Sequence, residues 1–265
     1  MCMEWIHSVA TEWLNERRDV ITATELVGLI PEYKRWEKSK GKQAPLGFYS
    51  LWEEKMAETE LDPKSYGPAA RGHIMEPYAV ADFNFGKAGT AHNMWHWDDC
   101  IIKNGSVGFS PDGMDIPQIT ADFSLRVKQG KLINNDGQEL VEVPEQILEI
   151  KSYGIDRHTK CVMSDIFDKQ LEKERYQIAA AMLVLPTIKV GWLALYCPQA
   201  VHSLDIKMLN RSDLTDEIEL LQKVIDLWES CSREMNSLII KSKAQHTEKE
   251  IWLEYMEEQS PLQIP

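Results

Sequence analysis

Cysteine is scarce. Five of the 265 residues are cysteines (Cys2, Cys100, Cys161, Cys197 and Cys231), odd in number and widely spaced, with no CxxC pair. That spacing excludes the usual cysteine-ligated zinc and iron–sulfur sites, and isolated cysteines of this kind read as small buried hydrophobes in a reducing compartment. Long apolar runs are also missing, so nothing approaches the roughly 20 residues that span a bilayer. The opening residues, Met1-Cys-Met-Glu-Trp-Ile-His, hold no basic stretch followed by an apolar one. A secretory leader is therefore not expected, and a cytoplasmic location is. Excess positive charge is the third absence: 29 Lys and Arg face 42 Asp and Glu, a net charge of −13. That balance disfavours a broad electrostatic grip on nucleic acid. It leaves room for local basic clusters, whose contacts would be salt-sensitive. Internal repeats and low-complexity tracts are absent too.

What is present fits an ordinary globular chain, 43% hydrophobic and 27% charged, with nine Trp able to bury much apolar area. Residues 4–16 read as a short helix with Trp5, Ile6, Val9 and Trp13 on one side. Thr22 or Thr24 can N-cap a helix carrying Leu26, Leu29 and Ile30. Residues 31–46, rich in lysine, read as a loop or short solvated helix ending at Pro45. Helical patterns follow over 47–60 and from Arg71 to Phe85. The period then changes: strands are expected within 91–109, over 119–127, over 139–143 and over 146–151, with Asn134-Asn-Asp-Gly as a hairpin turn. A helix over 166–184 and strands over 189–196 and 202–208 come next. Leu214, Ile218, Leu221, Ile225, Trp228, Met235 and Leu238 then recur at three- and four-residue steps, as in an amphipathic helix. The order predicts an α/β (α+β) fold with a central mixed sheet flanked by helices.

Three segments could carry chemistry. Gly108-Phe-Ser-Pro-Asp-Gly puts Asp112 on a tight turn after a strand. Ile147-Leu-Glu-Ile-Lys puts Glu149 and Lys151 two apart on a strand, hence on one face with Ile147, while Leu148 and Ile150 face the other way. Tyr176-Gln lies on the following helix. A carboxylate and an ammonium at the end of an apolar strand are costly to bury unless paired or bound to something. With Asp112 nearby, two carboxylates and the Ile150 carbonyl would form a cup of hard oxygens suited to Mg²⁺. Water activated there, beside Lys151, could attack a phosphodiester. Each fragment alone has an ordinary structural role: Pro-Asp-Gly as a turn, Glu-x-Lys as a surface ion pair.

The pair Ser110-Pro-Asp-Gly and Leu148-Glu-Ile-Lys resembles the PD-(D/E)XK nuclease superfamily, in the branch of the phage lambda exonuclease and the YqaJ-like viral recombinases. Arg17-Arg-Asp-Val-Ile-Thr-Ala-Thr resembles that branch's Arg…Ile-Thr-Ala-Ser motif, Arg71-Gly-His-Ile-Met-Glu its Gly…Glu helix, and Tyr176-Gln its later helix. These segments run from about residue 17 to 200. The resemblance implies a restriction-endonuclease-like core over residues 1–208, with residues 209–265 a C-terminal helical extension packed on the same domain. It implies that Asp112 and Glu149 bind Mg²⁺ (Mn²⁺ may substitute) together with the Ile150 carbonyl, and that Lys151 assists the attacking water. Glu76 would contact metal-bound water or complete the acidic cluster, and Gln177 would help position Lys151 or the substrate. Arg17, Thr24 and Ser110 would form a pocket for a terminal 5′-phosphate, to which a guanidinium and two hydroxyls make charge-assisted bonds. Thr24 could combine that role with capping, and Arg18 could replace Arg17.

The implied activity is 5′→3′ digestion of one strand of double-stranded DNA from its ends, leaving 3′ single strands for an annealing protein in phage-type recombination in a bacterial host cytoplasm. The implied assembly is a trimeric ring around DNA. The alternatives are a PD-(D/E)XK endonuclease of repair or restriction, and a non-catalytic DNA-end-binding module. The chain departs from the pattern in three places. The 37 positions from Asp112 to Glu149 suggest an inserted β-hairpin, Thr24 stands where Ser is expected, and the region past about 209 carries no motif.

Overall fold

The computed structural model describes residues 16–56, 68–86, 93–97, 100–118, 124–140 and 142–258, with positions 68–71 and 242–258 described as backbone only. The helix expected over 4–16 lies outside these residues except for its last position, and residues 16–18 are helical. Strand β1 (Ile21–Thr22) leads into helix α1 (Ala23–Lys38), followed by α2 (Leu46–Met56) and α3 (Pro68–Gly86). Short strands β2 (Trp95–His96), β3 (Ile101–Asn104), β4 (Val107–Phe109) and β5 (Gly113–Met114) come next, then the pair β6 (Ser124–Lys128) and β7 (Lys131–Ile133). Strand β8 (Gln146–Ser152), helices α4 (Ile155–Val162) and α5 (Glu172–Val184), strands β9 (Val190–Tyr196) and β10 (Leu204–Asn210), and helix α6 (Thr215–Glu258) complete the order.

The mixed sheet flanked by helices is present, divided in two. One sheet has the order β1-β4-β3-β6-β7 and the other β10-β9-β8-β5-β2. The chain passes between them through Ser110, Pro111 and Asp112, the three residues separating β4 from β5. Parallel pairing of β8 with β9 and antiparallel pairing of β8 with β5 make β8 a central strand. Its alternation follows the sequence reading. Ile147 joins the main core, whereas Leu148 and Ile150 join a smaller core with Ala79, Val80 and Phe83 of α3. Glu149 and Lys151 therefore emerge on the main-core side of this sheet.

Local chemistry explains the helix ends and their departures from expectation. Thr22 caps α1: its hydroxyl accepts from the Glu25 backbone N–H at 3.4 Å, and Glu25 accepts from the Thr22 N–H at 2.7 Å. This reciprocal pair satisfies two donors that a helix start leaves open. Helix α1 then continues through Pro31 into the segment read as loop or solvated helix. Tyr33 is buried and Trp36 packs on the main core, with ring centroids 5.9 Å apart, so tertiary burial outweighs the lost backbone bond. The inserted segment turns at Asn134–Gly137, as expected, and at one further place. Its tight turn is Gln129-Gly130, both at positive φ (53° and 77°), a geometry that matches strand twist. The Asn134–Gly137 turn folds back after β7 to form only an isolated bridge between Ile133 and Glu139.

Helix α5 is buried almost all round, Glu174 to Met182 included, and sits against α1, α6 and β9. Leu221, Ile225 and Trp228 of α6 reach the main core and Ile218 and Met235 pack against it, as the sequence pattern predicts, and Val224 and Cys231, outside that pattern, join them. That pattern includes Leu238, which the structure leaves 53% exposed beside exposed Ile239 and Ile240. A helix of 44 residues extends about 66 Å, longer than the core it serves. Among the described residues Cys100, Cys161, Cys197 and Cys231 are buried and form no disulfide, as expected of small hydrophobes, and Cys2 lies outside those residues. Among the described residues no helix is long and apolar enough to cross a membrane.

Candidate active site

The register of the second sheet brings the two distant carboxylates together. Gly113 pairs with Leu148 and Met114 with Ile147, antiparallel. Continuing that ladder by one step sets Asp112 across from Glu149, and side chains directly opposite in such a pair have Cβ atoms about 5 Å apart. Strand β5 ends as a ladder here, and a side chain takes over: Asp112 Oδ2 accepts from the Ile150 N–H at 2.6 Å. Within a strand residue the N–H and C=O point to the same neighbour, so the Ile150 carbonyl is directed to the same side as Asp112. The Asp112 carbonyl is itself held by the Trp97 N–H at 3.2 Å, and the Trp97 indole N–H donates to the Ile116 carbonyl at 2.9 Å. Gly113 is required by close approach rather than by a turn. A Cβ there would lie 3.1 Å from the Trp95 carbonyl oxygen and 3.3 Å from Leu148 Cβ.

Charge is concentrated at this point. Lys151 Nζ donates to Glu149 Oε1, and both side chains keep a minor part of their surface in solvent. Asp112 is half-buried. Burial pushes its pKa well above the ordinary carboxylate value, and the Glu149 and Glu76 carboxylates push it further; Lys151 and the Ile150 N–H oppose this and lose. For Lys151, burial opposes the ammonium, but Glu149 and Asp112 outweigh it and raise its pKa, with Glu174 adding to them. Hard oxygen donors (Asp112, Glu149, the Ile150 carbonyl) and an acid held under like-charge repulsion match what Mg²⁺ requires and would relieve. Among the described residues no three His, Cys, Asp or Glu side chains already close on a single point, as they would around a bound ion.

Glu76 reaches the cluster from α3. Its Oε2 lies 3.4 Å from His73 Nδ1, one turn earlier on the helix, and 3.8 Å from His96 Nε2 on β2. Burial favours its neutral form, but the two imidazoles outweigh burial and hold its pKa down at about 2. Neither histidine was singled out by the sequence reading, although His73-Ile-Met-Glu76 has the three-residue spacing that puts two side chains on one helix face. Glu174 is the other omission, three residues before Gln177 on α5. It is 2% exposed. Its Oε1 accepts from the Tyr153 hydroxyl and from Arg157 Nη2, the latter at 3.2 Å, while Oε2 has no hydrogen-bond partner. Arg157 also stacks over the Tyr153 ring at 4.2 Å.

Two of the residues expected to hold a phosphate, Thr24 and Ser110, leave the first sheet at one end. Thr22 pairs with Gly108 in the parallel β1–β4 ladder, so Thr24 and Ser110, each two residues onward, leave that ladder at the same end. Lys55 steadies the approach: its ammonium donates to the Arg17 carbonyl at 3.0 Å and pairs with Glu25 at 2.9 Å. Burial lowers the Arg17 pKa against the pull of Glu25. Gln177 meets this group rather than Lys151, its Nε2 donating to the Thr24 hydroxyl at 2.8 Å. Asp112, Glu149, Lys151 and Glu76 thus form one cluster, and Thr24 and Gln177 join α1 to α5 beside it.

No family model matches the chain, and no curated protein matches it. Solved structures do share its fold. The alkaline exonuclease LHK-Exo from Laribacter hongkongensis superposes with a TM-score of 0.52 at 16% identity, covering 87% of this chain and 98% of that one. LHK-Exo in complex with dAMP gives 0.55 at 14% identity over the same shares. A phage-related exonuclease from Haemophilus somnus 129PT gives 0.52 at 10% identity, covering 83% of this chain and 96% of its own. At these identities the likeness establishes the fold, which is the one the sequence motifs led us to expect.

Proposed function

We propose that this chain is a Mg²⁺-dependent 5′→3′ exonuclease that digests one strand of double-stranded DNA from its ends. The observation that carries the reading is the meeting of Asp112, Glu149 and Lys151 where β5 gives way to a side chain, on a fold shared with exonucleases. The dAMP complex of LHK-Exo adds support, since a deoxynucleoside monophosphate is the product such an enzyme releases. Asp112, Glu149 and the Ile150 carbonyl would hold Mg²⁺, which supplies Lewis-acid charge to a phosphodiester and makes water more acidic. Asp112 keeps the Ile150 N–H while presenting its other oxygen. Lys151, whose pKa Glu149 and Asp112 raise in the metal-free protein, would act as a point charge and hydrogen-bond donor beside the scissile phosphate. Arg17, Thr24 and Ser110 would receive a terminal 5′-phosphate, with Gln177 fixing the Thr24 hydroxyl. The products, 3′ single strands, suit a single-strand annealing protein in phage-type recombination within a bacterial host. A trimeric ring encircling DNA would let an acidic chain stay on its substrate without tight electrostatic binding.

The test is a set of duplexes incubated with the protein and Mg²⁺. Linear duplex bearing 5′-phosphates should yield mononucleotides, closed circular duplex should survive, and EDTA should stop release. Nicking of the closed circle would indicate an endonuclease instead. Binding to ends without any release would leave only an end-binding module.

The phosphate pocket makes a separate prediction. Thr24→Ala removes a hydroxyl that Gln177 holds in place, and one charge-assisted bond is worth about 1.5–3 kcal/mol. The preference for 5′-phosphorylated over 5′-hydroxyl ends should fall by about tenfold or more, read as the ratio of initial rates on the two duplexes. An unchanged ratio would remove Thr24 from the pocket.

A further inference from the structure

The lysine-rich segment lies at the far end of α1 from Thr24. Residues 31–46 carry five cations, Lys34, Arg35, Lys38, Lys40 and Lys42, against the two carboxylates Glu32 and Glu37, in a chain whose net charge is −13. All five cations are exposed. The corner between α1 and α2 that carries the last of them is tied by its backbone. Past α1 the Lys40 N–H donates to the Glu37 carbonyl at 2.9 Å and the Gly41 N–H to the Trp36 carbonyl at 3.1 Å, the paired bonds of a Schellman ending. The Ser39 hydroxyl donates to the same Trp36 carbonyl at 2.7 Å and accepts from the Gln43 N–H at 3.1 Å. The first residue past the cap in such an ending is left-handed and usually glycine. Here it is Lys40, at φ 55°, and Gly41 follows at 73°. A side chain is strained there and glycine is not, so the backbone carries strain at the position that puts a cation on the tip of the corner.

Beside these cations is an apolar wall. A cleft of about 330 Å³ at the corner is lined by Glu32, Arg35, Trp36, Gln43, Ala44 and Leu46, and Leu46 is 66% exposed. Arg35 is paired with Glu32, and Glu37 accepts from the Tyr33 hydroxyl at 3.0 Å, so the local excess of positive charge rests on the lysines. A nucleic acid strand would use those cations alone, since phosphate binding needs no apolar wall and stacking of a base needs an open aromatic face. The Trp36 indole already has the Tyr33 ring 5.9 Å away and the Gly41 backbone against it, where a Cβ would lie 3.6 Å from the ring. An acidic peptide with one large apolar side chain uses both features. Burial of the anchor supplies affinity, and the cations steer and select the acidic flank. On a chain that is acidic overall, a negatively charged partner is repelled elsewhere and drawn to this corner.

We propose that the α1–α2 corner is a docking site for an acidic peptide segment of a partner protein, which buries a large apolar side chain against Trp36, Ala44 and Leu46 and lays its carboxylates beside Lys38, Lys40 and Lys42. Thr24 and Lys38 stand at opposite ends of α1, about 21 Å apart along the helix. The segment therefore leaves the phosphate pocket free, and the inference stands whether or not the chain cuts DNA. The test uses the full chain and a fluorescein-labelled peptide in which a run of aspartates ends in phenylalanine, with affinity read from anisotropy. Alanine in place of that phenylalanine should weaken binding about tenfold or more, the worth of one buried aromatic side chain. Leu46→Ala should weaken it about threefold or more. Lys40→Gly with Lys42→Gln should also weaken it about threefold or more and reduce its salt dependence. The melting temperature of that variant should hold or rise, because glycine relieves the left-handed backbone. Loss of binding without loss of stability separates a docking role from a structural one. Failure of the peptide to bind, equal affinity for the alanine peptide, or affinity unchanged in both protein variants would overturn the proposal. So would displacement of the peptide by covalently closed duplex DNA, which offers no end to the phosphate pocket, if DNA binding fell by the same factor in the lysine variant. The corner would then be a nucleic-acid surface.

Discussion

Asp112→Asn should lower nucleotide release by about a thousandfold or more, and it should raise the melting temperature of the metal-free protein. The two effects have one origin. Asp112 is half-buried among like charges, with Glu149 across the ladder and Glu76 nearby, and its charged form is disfavoured accordingly. An amide of the same shape can still accept the Ile150 N–H bond that Asp112 accepts, and it brings no charge to repel its neighbours. It cannot serve as an anionic ligand. Lewis-acid stabilisation is worth several kcal/mol, and each 1.36 kcal/mol is about tenfold in rate. A gain of about 1 kcal/mol in stability would lift the midpoint by about 2–4 °C. Initial rates on linear duplex and thermal melting in EDTA measure the two halves. Activity within about tenfold of the unaltered protein would remove Asp112 from the chemistry. A lowered melting temperature would mean that the charge is not under strain in the fold.

The second large effect lies away from the carboxylates. Gly191 on β9 faces α5 so closely that a Cβ would sit 2.2 Å from Ile178 Cγ2 and 3.2 Å from Met182 Cε. Both neighbours are fully buried, so neither can swing into solvent. Gly191→Ala should therefore destabilise the protein by about 3 kcal/mol, at the upper end of what overpacking usually costs, and lower the melting temperature by about 6–12 °C. Ile178→Ala removes the methyl in conflict but leaves a cavity worth about 2–5 kcal/mol. The double variant should then lose at least about 1 kcal/mol less than the sum of the two single losses, as coupled neighbours do. Simple additivity would show that the helix moves aside without strain. Because Gln177 precedes Ile178, a shift of α5 also carries its amide away from Thr24, and activity should fall beyond what the loss of folded protein explains.

Much of this arrangement was legible in the residues because it follows short-range rules. Alternation along Gln146–Ser152 places Glu149 and Lys151 on one face, and the three- and four-residue steps of α6 mark its core-packed stripe as far as Met235. The motif resemblance supplied what spacing alone could not, the pairing of Asp112 with a strand 37 positions away. What was not legible depended on tertiary contact. Tyr33 and Trp36 carry α1 past Pro31 because they are buried, a fact that helix propensity does not contain. A second turn, at Gln129-Gly130, carries the β6–β7 pair in addition to the expected turn at Asn134-Asn-Asp-Gly. The ladder between β6 and β7 decided the register there. His73, His96 and Glu174 were overlooked for a similar reason. His73 shares a helix face with Glu76 by spacing alone, but His96 on β2 and Glu174 on α5 gain their partners only when α3 and the Tyr153–Arg157 segment are brought against them.

The step from Phe109 to Gly113 has a further meaning if a DNA end is held as proposed. Ser110 and Asp112 stand two residues apart on the short link that joins one sheet to the other, and two residues of chain reach at most about 7 Å. Neighbouring phosphates along a nucleic acid strand are separated by a similar span. The link would then act as a gauge, with its length set by covalent geometry rather than by a flexible loop. An end seated at Ser110 would then be cut about one unit along, at Asp112, and the increment of digestion would follow from the stride between two sheets.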